Sequence, residues 1–374
     1  NSQISGRRFA YLATVTDSGS TSYTFGKNMD QNYGTTAIDE YAVDVTWEVA
    51  DKTDIGVDMR LLNNKLNLQF DYFKESRKGI YLRRSSIPSY VGMINNPYGN
   101  IGKVENKGFE LSVNYANSWG DWSLSLMGNY SFNRNKVLED DSTVAYPWQN
   151  TIGNKVGQRF GLVALGLFDS YEEIAASPVQ TGDTRPGDIK YKDVNGDGKI
   201  DEYDKVPIGW GSVPEIMYGF GFSVGWKNLS LTAMFQGAAH VDAMLSGEGV
   251  LPFSQGSSRG NLLSNVTDRW TEENPRQDVF YPRLSIGNIN MNYEESTWWL
   301  KDTDYLRLKN IELSYRLPDR WMKRIHLSNA RIFIQGVNLL TFSSFKIWDV
   351  ELGDGRGAKY PNIASVSLGI NFNF

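Results

Sequence analysis

The 374-residue chain has no cysteine, which removes a disulfide scaffold and any cysteinyl metal or redox centre. It has two histidines, His240 and His326, far apart in the chain, which argues against a histidine-based metal site or catalytic triad. It has no apolar run of about 18 residues, so no transmembrane helix is expected. A membrane barrel stays open, because its strands are half polar. Positive charge is not in excess: the net charge is −5, which argues against a nucleic-acid partner. Neither Met nor a signal peptide opens the chain, which starts at Asn1-Ser2-Gln3-Ile4, as expected of a piece of a longer exported protein.

Aromatic residues are plentiful: 18 Phe, 20 Tyr and 11 Trp exceed what one soluble core usually needs and suit interfacial girdles. The last stretch, Ile363 to Phe374, sets the pattern. Ala364, Val366, Leu368, Ile370, Phe372 and Phe374 share one parity; Ser365, Ser367, Gly369, Asn371 and Asn373 share the other. Such alternation predicts a strand with one apolar and one wet face, and about 9–11 residues suffice to cross a bilayer at a tilt.

The same pattern recurs upstream. Phe9, Tyr11, Ala13 and Val15 hint at a strand, and Val43, Val45, Trp47 and Val49 alternate with Asp44, Thr46 and Glu48. A first hairpin sets Ile55, Val57, Met59 and Leu61 against Leu66, Leu68, Phe70 and Tyr72, around Asn63-Asn64, residues that tolerate positive φ. A second sets Phe109, Leu111, Val113 and Tyr115 against Trp122, Leu124, Leu126, Tyr130 and Phe132, around Trp119-Gly120-Asp121. A third sets Ile216, Tyr218, Phe220, Phe222, Val224 and Trp226 against Leu229, Leu231, Ala233 and Phe235, around Lys227-Asn228. The strand from Thr303 to Leu317 changes phase, which predicts a bulge near Lys309-Asn310. A basic turn after Pro318 (Arg320, Lys323, Arg324) leads to a poorer strand, Arg331 to Leu340. Long excursions are expected at 74–108, 134–215, 236–302 and 341–362. Alternating short and long connections mark an outer-membrane barrel, whereas a soluble sandwich would place turns every 8–12 residues or so. About nine firm spanning strands are expected, with one or two more near the N-terminus. The fold class is therefore all-β, an antiparallel transmembrane β-barrel; a β-sandwich or solenoid is the competing reading.

The sharpest chemical motif lies in the first long excursion. From Asp193 to Asp204, oxygen-bearing side chains fall at loop positions 1, 3, 5, 9 and 12: Asp193, Asn195, Asp197, Asp201 and Asp204. The Lys199 carbonyl takes position 7, and Gly198 takes position 6, where an EF-hand loop turns sharply. Position 12 departs from the usual Glu. Four carboxylates converging without a cation would repel one another, so a structural Ca²⁺ is expected at 193–204. The competing reading is a Gly/Asp-rich turn without metal.

The run Pro186-Gly187-Asp188-Ile189-Lys190-Tyr191-Lys192-Asp193, with Ile208-Gly209 and Pro214 after it, resembles the C-terminal part of the SusC/RagA family. So do the runs 100–110 (Asn-Ile-Gly-Lys-Val-Glu-Asn-Lys-Gly-Phe-Glu), 133–137, 305–310 (Tyr-Leu-Arg-Leu-Lys-Asn) and Asn338-Leu339-Leu340, in family order from about residue 43 to Phe374. These are TonB-linked outer-membrane transporters of Bacteroidetes-type bacteria. The resemblance implies the C-terminal half of a plugged barrel of about 22 strands. It also implies a SusD-like surface lipoprotein as lid, TonB as the energy source, and a glycan or peptide cargo. Loops would be extracellular and the C-terminus periplasmic. The plug, the TonB-contacting segment and the first barrel strands are expected to lie outside this chain, as the remaining N-terminal part of the same transporter.

Other candidates are weaker. Gly353-Asp354-Gly355-Arg356-Gly357 lacks the strand-to-helix setting of a phosphate loop and reads as a loop tip. No glycosidase-like carboxylate pair stands out, and no enzyme is expected. Aromatics in the excursions would stack on cargo or pack the loops; Trp148, Trp210, Trp298, Trp299 and Trp348 are the cargo candidates. Competing functions are a carbohydrate-binding adhesin with a structural calcium loop and a passive porin.

Overall fold

The computed structural model describes residues 11–25, 31–91, 93, 95–253, 262–287, 289–324 and 328–373. Asn1-Ser2-Gln3-Ile4, Phe9, His326 and Phe374 lie outside them. A first antiparallel hairpin joins β1 (Thr14–Phe25) to β2 (Gln31–Glu40). Then come β3 (Val49–Leu61), β4 (Leu66–Arg83), β5 (Tyr98–Trp119) and β6 (Trp122–Glu139). Six short strands follow: β7 (Arg159–Gly161), β8 (Ala164–Leu167), β9 (Val179–Gln180), β10 (Ile189–Tyr191), β11 (Lys199–Ile200) and β12 (Val206–Ile208). A short helix, α1 (Tyr171–Ala175), lies among them. Next are β13 (Ile216–Trp226), β14 (Leu229–Ala239), β15 (Asp242–Met244), β16 (Leu300–Asp302) and β17 (Tyr305–Arg316). Helix α2 (Asp319–Arg324), β18 (Asn329–Ser343) and β19 (Ser365–Asn373) complete the chain.

Nine of these strands form one sheet in chain order, β3-β4-β5-β6-β13-β14-β17-β18-β19. By packing the chain divides into two compact units, Asn1–Asp54 with Phe73–Lys107 and Arg134–Val156, and Ile55–Tyr72 with Gly108–Asn133 and Gly157–Phe374.

Register converts the alternation into a two-faced sheet. Leu124, Val224, Leu231, Leu313, Ile334 and Leu368 pair in one continuous row, flanked by the row Trp122, Trp226, Leu229, Tyr315, Ile332, Ile370. One residue along, Ser125, Ser223, Thr232, Glu312, Gln335 and Ser367 form a wholly polar row. On β6 the apolar parity runs from Trp122 to Phe132, about 33 Å of strand, or about 25 Å along the axis at a tilt near 40°. That matches the height of a barrel's apolar band. Trp122 and Trp226 lie side by side at the short-turn end, their ring centroids 6.0 Å apart.

The expected bulge is present: Leu308 pairs with Phe235 and Asn310 with Met234, leaving Lys309 as the extra residue. The turns at Gly120-Asp121 and Lys227-Asn228 are two residues long, but the first turn is longer, with Leu62, Asn63 and Asn64 all at positive φ.

Four expectations are corrected. Val43, Val45 and Trp47 lie outside any strand, since β3 starts at Val49. The excursion expected at 74–108 is mostly strand, with only 84–97 connecting β4 to β5; likewise β6 runs on to Glu139. There the ladder is laced by cross-strand ion pairs, Lys52–Glu75, Lys74–Glu105 and Lys78–Asp51, so no apolar parity marks it. Finally, β18 is a full fifteen-residue strand, broken only by a bulge where Asn338 takes positive φ, 54°. Phe333 breaks the apolar count because its ring sits on the polar face over Gly369, where a Cβ would not fit.

Candidate functional site in the long excursions

The excursions of the second unit pack against one another. Short ladders tie β7 to β12, β8 to β10, β9 to β11 and β15 to β16. Their apolar side chains build a shared core that includes Leu162, Tyr191, Trp270, Tyr281, Trp299 and Phe345. This core brings together residues from all three long segments, 157–215, 236–304 and 344–364.

Three charge networks, each with at least one buried member, fix the packing. Asp188, 1% exposed, accepts from Arg283 Nε and Nη2 at 2.9 Å each. It also accepts from the Asn290 and Asn292 amides at 3.1 and 2.8 Å, and from the Arg185 backbone N–H at 2.9 Å. Arg159 reaches Asp354 at 2.8 Å and Asp242 at 3.3 Å, so the glycine-rich patch 353–357 is docked rather than a free tip. Arg307, 2% exposed, donates to Asp349 and Glu351 at 2.8 Å each. Burial works to raise the Asp349 pKa, but the Arg307 and Glu351 N–H hydrogen bonds outweigh it and hold the group below the usual carboxylate range.

In the loop 193–204, Gly196 and Gly198 take positive φ, 76° and 82°. Asp193 accepts from the N–H groups of Gly196 and Gly198 at 2.7 and 2.9 Å, and Asp197 accepts from Lys199 N–H at 2.9 Å. Asp204, 0% exposed, turns inward and accepts from Val194 N–H at 2.7 Å and Asp201 N–H at 2.9 Å. Asp201 accepts from Tyr203 N–H at 2.8 Å, and Asn195 donates to Asp197 at 3.0 Å. The loop's oxygens thus serve its own amides; among the described residues no three Asp, Glu or His side chains are grouped as a metal site. Lys199 and Ile200 form β11, which pairs in parallel with Val179 and Gln180 of β9 and anchors the loop.

The four candidate tryptophans of the second unit have different surroundings. Trp299 is 1% exposed, its indole N–H bonded to the Asn292 carbonyl at 2.6 Å, and is packed in the core. Trp298, next in sequence, is half-buried against the same core and donates to the Phe280 carbonyl at 3.2 Å. Trp348 packs edge-on to Phe345 at 5.1 Å, with its ring over Gly357. Trp210 is 42% exposed and stacks flat on His240 at 4.0 Å, with His240 Nδ1 3.2 Å from Glu215. In the first unit, Trp148 stacks on Tyr146 at 4.6 Å.

Sequence reading missed a cavity of about 570 Å³ in the second unit, whose lining includes Leu263, Asn265, Phe280, Lys301, Phe345 and Ile347. No local pattern signals it, because its walls come from segments far apart in the chain.

The family model described as TonB dependent receptor-like, beta-barrel, matches residues 13–339. Among curated relatives, TonB-dependent receptor P26 of Formosa agariphila is 30% identical over 88% of this chain and 35% of its own length. TonB-dependent receptor P3 of the same organism is 28% identical over 92% of this chain and 36% of its own. TonB-dependent receptor SusC of Bacteroides thetaiotaomicron is 24% identical over 99% of this chain and 36% of its own. The chain therefore spans about a third of the length of the relatives it matches. Among solved structures, the RagAB peptide importer in its open-open state superposes with a TM-score of 0.69 over 98% of this chain and 38% of that one, at 21% identity, which bears on the fold. These relatives are receptors and transporters, not enzymes. With the two-faced nine-strand meander and a family match over most of its length, this chain belongs to the TonB-dependent receptor-like β-barrel family of outer-membrane proteins.

Proposed function

We propose that the chain is the C-terminal barrel part of a SusC/RagA-type importer that takes up oligosaccharides or oligopeptides, energised by TonB and lidded by a SusD-like lipoprotein. The observation that carries this reading is the pairing of a bilayer-height apolar face with long excursions packed into one body. The apolar rows face lipid; Ser123, Ser125, Asn129, Ser365, Ser367 and Asn371 face the lumen. The excursions lie outside the cell and the C-terminus in the periplasm. Since an unpaired sheet edge cannot face hydrocarbon, strands from the rest of the same gene product pair with the outer edges of β3 and β19. Within the excursions, Trp148, Trp210, Trp298 and Trp348 remain candidates for cargo or lid contact, Trp210 foremost because its ring is half-exposed.

The reading is tested by cutting back 157–215 and 262–287 in the intact transporter and measuring lid co-purification and uptake. Loss of both is expected; a retained lid with unimpaired uptake would sink it.

Calcium at 193–204 belongs to the same proposal. The ligand spacing and the two left-handed glycines support it, and each carboxylate has lone pairs enough to bind the ion while Asp193, Asp197 and Asp204 still accept from their amides. Calcium should slow amide exchange across this loop, and chelation should reverse that without melting the barrel. Exchange indifferent to millimolar calcium would leave a metal-free turn.

A further inference from the structure

Lys301 on β16 lines the 570 Å³ cavity and holds its ammonium 5.3 Å from the centre of the Phe280 ring. Cavities of this size take small ligands or single units of larger ones. Among the described residues, no carboxylate lies within ion-pair reach of Lys301. The other charged groups of the lining are Asp268, Asp302 and Lys346. Asp268 is committed: Arg276 donates to it at 2.7 Å and the Phe280 N–H at 3.1 Å. Asp302, next to Lys301 on the same strand, accepts from the Asp304 N–H at 2.8 Å and makes no ion pair with Lys301. Lys346 is exposed and adds a second positive charge. Burial pushes the Lys301 ammonium below the ordinary lysine range, a penalty that an arriving anion would relieve. The aromatic rings of Phe280 and Phe345 and the side chains of Leu263 and Ile347 supply an apolar wall beside the cation. A partly buried cation without an anion, beside apolar walls and an open volume, is the arrangement that reads a carboxylate on a compact, partly apolar group.

We infer that this cavity is a carboxylate-binding subsite, with Lys301 holding the anion and Phe280 and Phe345 packing against the group that carries it. It rests on the import reading only for the source of the carboxylate, an acidic peptide residue or a uronate sugar.

Binding is to be measured by calorimetry on the intact transporter in detergent. The probes are Ala-Glu-Ala and a glucuronate disaccharide, each paired with its neutral counterpart, Ala-Gln-Ala or a glucose disaccharide. One acid is expected to bind more tightly than its neutral partner, and its identity names the source. Lys301→Gln should weaken that binding about ten- to a hundredfold, the range for a hydrogen bond to a charged group, with partial rescue by Lys301→Arg. The bound acid, and not its neutral counterpart, should also shield Lys301 from reductive methylation in the unmodified protein, a readout that needs no variant to fold. Equal binding of acid and neutral probes, unchanged affinity in Lys301→Gln, or unshielded Lys301 would overturn the assignment. Because transport is not part of the measurement, a protein that binds the acid but imports nothing would count against the import reading and for the subsite.

Discussion

Breaking the Asp188–Arg283 pair should open the excursions while leaving the sheet intact. In Arg283→Met the buried carboxylate keeps three of its five donors, Asn290, Asn292 and the Arg185 N–H, and loses both that carry charge. Two charge-assisted hydrogen bonds at about 1.5–3 kcal/mol each set the ceiling, and stranding one member of a buried pair costs about 3–5 kcal/mol. We therefore expect about 3–5 kcal/mol of lost local stability. Amide exchange across 185–189 and 283–292 would then accelerate by about two to four orders of magnitude, with the β13 and β14 amides unchanged. The double variant Asp188→Asn/Arg283→Met should recover part of the loss, because it removes the stranded charge while the amide oxygen still accepts from Asn290 and Asn292. Exchange unaltered in the single variant would refute the reasoning, as would a double variant no more stable than the single.

Three further expectations follow from the same geometry. Leu368→Arg, in the middle of the apolar row, should cost about 2–4 kcal/mol of barrel stability if that row faces the bilayer midplane, while Ser367→Arg on the polar face is tolerated; heat-modifiability on gels separates them, and equal effects would undo the face assignment. Gly187→Ala should destabilise the excursions by about 2–4 kcal/mol, since φ is 86° and a Cβ would enter the Trp270 ring; proteolysis of the folded excursions no faster than in the native chain would contradict this. Tyr281 and Tyr293 are both raised to about 12, chiefly by burial. A raised acid stabilises the fold below its unfolded pKa of about 10 and loses that contribution as pH climbs to about 12, so the excursion core should loosen across that window, with phenolate absorbance delayed to match.

The sequence by itself determined the two-faced sheet of this protein. Period-2 alternation is a local property, and where a strand has hydrocarbon on one side and water on the other, each residue records its face. Hence the rows through Leu124, Val224 and Leu368, the tight turns at Gly120 and Lys227, and the extra residue at Lys309 were all legible. The pattern stops where the apolar band stops. Residues 74–83 continue β4 with charged partners on neighbouring strands, and the ladder survives there without an alternation to announce it. The excursions were legible as long segments and as an EF-hand-like spacing, but not as a body. Their core joins residues such as Leu162, Trp270 and Phe345, and Asp188 meets Arg283 only after the chain has returned from another strand pair. Nor could local pattern separate Trp298 from Trp299, since neighbours in irregular backbone point to different surroundings and only packing decides which is sealed. Tertiary structure decided these points, because burial, ion-pair partners and cavities are set by contacts between segments that no short window of sequence contains.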